Sequence, residues 1–167
     1  LGNIFTSNFT TYSKTCIEEF DAVIIDTNIL IDSPECILEI SKFTKVIIPV
    51  ECINELNILK GTNDELNDKV NYSLTMINKL KSTNNNFSIV LLSRYLRTYS
   101  PKAKSFFAPE ISDVDFKIIR YAKYLYDNSL SKNILILSKD KELQYAIEDF
   151  KCNCSVGDNN SYYIPKK

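Results

Sequence analysis

The 167-residue sequence contains no histidine. That absence removes Ser-His-Asp and Cys-His relays, imidazole acid–base pairs and His-ligated zinc or iron sites. Catalysis, if present, must rest on carboxylates, Lys, Tyr, Ser, Thr or Cys. With three glycines in all, there is no Gly-rich loop to cradle phosphates, which argues against a P-loop nucleotidase. The five cysteines (Cys16, Cys36, Cys52, Cys152 and Cys154) include no C-x-x-C pair, so a zinc site is not expected. Their odd number, read as free thiols, points to a reducing, intracellular compartment. Cys36 and Cys52 read as small buried hydrophobes. No apolar run is long enough to span a bilayer, and the stretch from Leu1 to Lys14 lacks the apolar core of a signal peptide, so no membrane association is expected. A formal net charge of -1 provides no global field for a polyanion, which would have to be held by a local patch or by bound cations.

What is present is ordinary for a globular chain. Hydrophobic residues at 44% and charged residues at 25% suffice for a core in one domain without staples. Residues 1–20, rich in Thr, Ser and Asn, read as an irregular N-terminal arm, and 21–167 as one domain. Buried strands are expected at Ala22–Ile25, Lys45–Val50, Phe87–Leu92 and Ile134–Leu137, with a short one near Cys154–Val156. Helices are expected after Ser33-Pro34-Glu35, over Glu51–Lys60, through Val70 to Leu80, after Ser112 and over Asp140–Phe150, with a polar lead-in at Thr62–Asp68. Ser93–Ile111 reads as a long basic, aromatic loop. Strands alternating with helices predict an α/β fold with a mostly parallel central sheet covered on both faces.

The acids fall in a pattern on that scaffold. Asp26 ends the first strand, and Glu55 lies on the helix after the second, with Glu51 one turn earlier on the same face. Asp113 and Asp115 open the helix after the long loop, and Asp140 follows the last strong strand. Each has an ordinary structural reading: an Asx turn for Asp26, a solvated helix face for Glu55, first-turn charge for Asp115 and Asp140. A doubly wound sheet, however, brings these edges to one cleft. Clustered carboxylates there suit hard divalent cations, Mg²⁺ or Mn²⁺, rather than zinc or copper. A receiver domain would want paired acids at the first strand end, and a haloacid-dehalogenase phosphatase an acid where Asn28 stands.

Four motifs in order, Ile25-Asp26-Thr27-Asn28, Ile48-Pro49 leading to Asn54-Glu55-Leu56, Asp115 with Ile118 and Ala122, and Ser138-Lys139-Asp140-Lys141-Glu142-Leu143, resemble the PIN-domain nucleases. The resemblance implies a PIN-like three-layer α/β/α fold and a metal-dependent endoribonuclease in which Asp26, Glu55, Asp115 and Asp140 hold Mg²⁺ or Mn²⁺. Asp113 is an auxiliary ligand candidate, and Thr27, Asn28 and Ser138 are expected to orient ligands or water. The segment Ile53–Gly61 looks most like the eukaryotic RNA-surveillance PIN domains, including those of nonsense-mediated decay and nuclear messenger-RNP quality control. That likeness implies single-stranded RNA as substrate, RNA-processing or surveillance proteins as partners, and a nuclear location, with the cytoplasm as alternative. Arg94, Tyr95, Arg97, Tyr99, Lys102 and Lys104 interleave cations with aromatics as RNA-contacting segments do, and Lys139 and Lys141 flank Asp140 where phosphates would approach. The competing readings are an inactive PIN fold serving as a binding module in an RNA-processing assembly, and a bacterial toxin-type PIN ribonuclease.

Overall fold

The structure is a computed structural model that describes residues 14–62, 64–96, 112–147 and 153–166. In chain order its strands are β1 (Thr15–Cys16), β2 (Ala22–Ile25), β3 (Val46–Pro49), β4 (Phe87–Val90), β5 (Ile134–Leu137), β6 (Cys154–Gly157) and β7 (Tyr162–Tyr163). The helices are α1 (Thr27–Asp32), α2 (Cys36–Ser41), α3 (Val50–Lys60), α4 (Asp64–Thr83), α5 (Asp113–Asp127) and α6 (Lys141–Ile147), with short 3-10 turns at Ile17–Glu19 and Leu92–Tyr95.

Five strands form one parallel sheet in the order β4-β3-β2-β5-β6, flanked by helices in a three-layer α/β/α arrangement. Every residue of β2, β3 and β5 is buried, which is why these strands are continuous apolar runs rather than alternating ones. Helices α1, α3 and α4 pack on one another, and α5 packs on α6. The β-branched side chains of Ile24 and Ile25 are wholly buried between these layers. Cutting either to Ala would cost about 2–5 kcal/mol through lost burial and a residual cavity.

The strand order places the chain's change of direction at β2. The chain winds outward from β2 through β3 to β4, then returns to lay β5 on the other side of β2. The crevice outside the carboxyl ends of β2 and β5 is therefore the topological switch point, where open α/β sheets bind ligands. Register sharpens this: Ile25 pairs with Leu137, and the Asp26 N–H donates to the Leu137 carbonyl at 3.0 Å, so Asp26 and Ser138 emerge side by side.

Several elements depart from the sequence expectation. The polar lead-in at Thr62–Asp68 is helical from Asp64, because α4 needs only one buried stripe, Val70, Ser73, Ile77 and Leu80, and its first turns stand in solvent. Ser33 does not cap a following helix; its N–H closes α1 on the Ile29 carbonyl at 2.8 Å. Pro49 ends β3 and leads directly into α3, at the N-terminus that tolerates its missing N–H. Strand β4 stops at Val90, and α6 begins at Lys141. Within the stretch expected to be an irregular arm, Thr15–Cys16 pairs with Tyr162–Tyr163, and Ile17 is buried in the core. Residues 1–13, the end of the expected helix beyond Ile147, and most of the Ser93–Ile111 loop lie outside the described residues. No helix among the described residues is long and apolar enough to cross a membrane.

Candidate metal centre

Asp26 is the hinge of the site. It sits one residue past β2, 4% exposed, as the N-cap of α1. One carboxylate oxygen accepts the Thr27 N–H at 2.8 Å, and the other accepts the Ser138 hydroxyl at 2.6 Å. The Thr27 hydroxyl then donates to Glu55 Oε1 at 2.7 Å, so one residue ties together the carboxylates from β2 and α3. Glu55 reaches the cleft because α3 starts directly at the β3 end, which puts its second turn over the strand ends.

Ser138 does the same on the β5 side. Its hydroxyl oxygen accepts the Asp140 N–H at 3.0 Å while donating to Asp26, and the Asn28 amide nitrogen lies 3.4 Å from Asp26 Oδ2 and 3.5 Å from Ser138 Oγ. Asn28 Oδ1 accepts the Lys139 N–H at 3.1 Å. Thr27, Asn28 and Ser138 thus lock the two loops at the switch point, as orienting residues around a ligand do.

Asp115 comes from the opposite layer. Ser112 caps α5 through the Asp115 N–H at 3.0 Å, which turns the Asp115 side chain inward, 6% exposed. Its carboxyl is pushed up to about 8, first by burial, then by a hydrogen bond with Asp140 and by the charges of Asp26 and Asp140. Burial likewise raises Asp26, with the Asp140 charge adding and the Ser138 and Thr27 hydrogen bonds opposing. Burial raises Glu55, aided by Asp26 and opposed by the Thr27 hydroxyl. No lysine or arginine among the described residues forms an ion pair with any of these four acids.

Asp113 takes a different course. Its side chain is more than half exposed and pairs with Lys117 at 3.1 Å, one turn along α5. Lys139 pairs with Asp32 at 2.8 Å, and Lys141 is exposed at the start of α6. Arg94 and Tyr95 lie in the 3-10 turn after β4, where the Tyr95 ring packs against Tyr121 and Tyr124 at centroid distances of 5.4 and 5.3 Å. Arg97, Tyr99, Lys102 and Lys104 lie outside the described residues.

Two residues of the site region carry contacts that sequence reasoning missed. Cys52 is buried, as expected of a small hydrophobe, but its thiol points at Asp26 Oδ1 from 3.9 Å. Ligand atoms of Asp26, Cys52 and Glu55 lie within 4.8 Å of one another. Burial and the Asp26 charge hold the thiol well above its usual range, in its protonated form. Its position one turn before Glu55 was the available signal. Glu51, the residue beside it, instead clamps the 3-10 turn after β4, accepting the Leu92 and Ser93 N–H groups at 3.0 and 3.1 Å.

The donor set fits a hard divalent cation. Carboxylate oxygens converge without a protein cation, and the upward push on Asp26, Glu55 and Asp115 is the electrostatic strain that a bound dication relieves. A family model for the PIN domain matches residues 23–146, from β2 through most of α6. The chain belongs to the PIN domain family. PIN domains are generally nucleases that use divalent metal ions, and the Asp26, Cys52 and Glu55 group of this one lies where the fold binds ligands, with Asp115 and Asp140 outside that 4.8 Å group. No curated protein matches the chain.

Proposed function

We propose that this PIN domain is a metal-dependent endoribonuclease that cleaves single-stranded RNA by attack of water on the phosphodiester. The observation that carries the reading is the convergence of Asp26, Glu55, Asp115 and Asp140, from four separate segments, on the switch point of the sheet. In this reading Asp26, Glu55, Asp115 and Asp140 hold Mg²⁺ or Mn²⁺, with Asp113 as an auxiliary ligand at the rim. The bound ion supplies the positive charge and Lewis acidity that phosphodiester hydrolysis needs.

The protein's own groups do the rest. Thr27 and Ser138 fix the carboxylates by donating to Glu55 and Asp26, so the site does not reorganise as charge develops. Asp115, turned inward by the Ser112 cap and hydrogen-bonded with Asp140, adds a buried carboxylate from the opposite layer to the ligands of that ion. Arg94, Tyr95, Lys139 and Lys141 contact the RNA, with Arg97, Tyr99, Lys102 and Lys104 extending that surface.

The Ile53–Gly61 segment supports a place in eukaryotic RNA surveillance, with RNA-processing proteins as partners and the nucleus as location; the cytoplasm is the alternative. The test is cleavage of a largely single-stranded RNA in Mn²⁺, Mg²⁺ or EDTA by wild type, Asp26→Asn and Asp140→Asn. Metal-dependent cleavage that both substitutions abolish is expected. Equal inertness of all three proteins, with no metal or RNA bound by wild type, would overturn the reading in favour of a protein-binding module.

A further inference from the structure

Beside the acidic centre, on the β6 side, lies a cavity of about 960 Å³ between β1, β5, β6 and α6. Leu135 and Ser155, register partners on adjacent strands, form its floor. Exposed Lys14 and Lys141 stand on its walls with the half-buried Phe20 ring. A smaller cavity of about 180 Å³ shares Thr15, Phe20 and Ser155 with it and reaches Asn133 and Asn153. The two make one groove along β6, from the carboxyl edge of the sheet to the opposite edge.

Two links join the groove to the metal centre. Lys141 directly follows Asp140. The Gly157 carbonyl, on the rim, accepts the N–H of Ser138, whose hydroxyl holds Asp26. Gly157 is needed there, because a Cβ would collide with the Ser161 hydroxyl. The turn after β6 thereby folds back tightly and sets Asn160 and Ser161 on the wall.

We infer that this groove is a subsite for one to two nucleotides of a single-stranded RNA whose scissile phosphate lies at the acidic centre; the inference rests on the endoribonuclease reading. Volume permits it, since small-molecule pockets span roughly 300–1,000 Å³. The chemistry matches as well. Two ammonium groups, neither in an ion pair among the described residues, offer phosphate contacts on walls that also carry the Asp158 carboxylate, with Glu19 lining the smaller cavity at the far end. Phe20 offers an edge or face to a base, and Gln144, Ser155 and Asn160 offer donors and acceptors to base edges and the 2′-hydroxyl. The mixed polar lining suits a nucleotide better than an apolar peptide.

The test uses the full chain in EDTA, which suppresses metal-dependent cleavage, with a fluorescein-labelled oligouridylate followed by anisotropy across a salt series. Lys14 and Lys141 are exposed, so the double variant Lys14→Ser, Lys141→Ser is expected to keep the wild-type melting curve. It is expected to bind about tenfold more weakly, with the slope of log affinity against log salt smaller by about 1.4, or about 0.7 for each lost phosphate contact. Photocrosslinks from 4-thiouridine RNA are expected on Phe20 or the Ser155–Ser161 wall. Unchanged affinity and slope, or crosslinks confined to other surfaces, overturn the inference. So does UMP binding as tightly as the oligonucleotide, which would make this a free-nucleotide pocket. Mn²⁺-dependent cleavage on the same preparations separates the two claims. Cleavage with unaltered binding in the double variant sinks the subsite alone; weakened binding with no wild-type cleavage sinks the nuclease reading, and with it the subsite as part of a cleavage site, leaving the groove an RNA-binding surface only.

Discussion

Strand β2 has an aspartate at each end, and the two do opposite jobs. Asp21, at the amino edge, is exposed and accepts the Lys132 and Asn133 N–H groups at 2.8 and 3.1 Å, clamping the start of β5 to the start of β2. Asp26, four apolar residues later, is buried among three more carboxylates and ties the same two strands at their carboxyl ends through Ser138. The residue type is the same and so are the strands joined. Environment makes the difference: solvent and free backbone donors turn Asp21 into a clamp, whereas burial beside other acids raises the Asp26 carboxyl and sets it among potential ligand atoms. Helix α3 repeats the lesson, with Glu51 holding the turn after β4 and Glu55 facing the cleft.

The strongest way to break this comparison is to neutralise each aspartate. Asp26→Asn is expected to lower metal-dependent cleavage by at least about 10²-fold, while the melting temperature in EDTA stays level or rises, because a charge disfavoured by burial is gone. Asp21→Asn is expected to leave the cleavage rate unchanged well below its melting temperature. Parallel activity and melting curves on both variants would show whether the roles separate in this way.

A smaller effect is expected at Ser138. Ser138→Ala removes the hydroxyl that orients Asp26 and receives the Asp140 N–H, and should weaken Mn²⁺ affinity about 10- to 100-fold, read by calorimetry. Affinity within twofold of wild type would place the orienting role elsewhere.

The pH dependence of metal-free protein sharpens the comparison further. Asp115 is pushed up to about 8, and Asp26 and Glu55 also move upward, so the native state binds more protons here than the unfolded chain. Their contribution is full below the ordinary carboxylate range, near pH 4, and is lost as pH rises through about 8. Melting in EDTA is expected to weaken from about pH 5.5 to about pH 8.5, with the slope reduced in Asp115→Asn and flattened by saturating Mn²⁺. A slope identical in Asp115→Asn would contradict the assignment. Smallest of all, the Asp21→Asn clamp variant should melt a few degrees lower at every pH, reflecting two weakened hydrogen bonds at an exposed edge.

Much of this arrangement is legible in the sequence, for reasons the particular residues show. Continuous apolar runs rich in Ile and Val mark β2, β3 and β5, and an acid ending such a run marks Asp26. The spacing to Ile118 and Ala122 favours Asp115 over Asp113, and the structure puts Asp115 inside and Asp113 on an exposed ion pair. What sequence could not disclose depends on distant partners or on very short elements. The six residues of α1 and the two-residue strands β1 and β7 are too short to show a period. The clamps of Asp21 and Glu51 close on backbone groups 111 and 41 residues away. The aim of the Cys52 thiol at Asp26 depends on where α3 starts, at Val50 just after β3.

The most direct measurement of the central claim is anomalous diffraction from crystals of the protein soaked in Mn²⁺. The account predicts a manganese peak within coordination distance of Asp26 and Asp140, with Glu55 or Asp115 completing the oxygen ligands, and loss of that peak in Asp26→Asn. Saturating Mn²⁺ with no peak among these four carboxylates, or an undiminished peak in the variant, would contradict it.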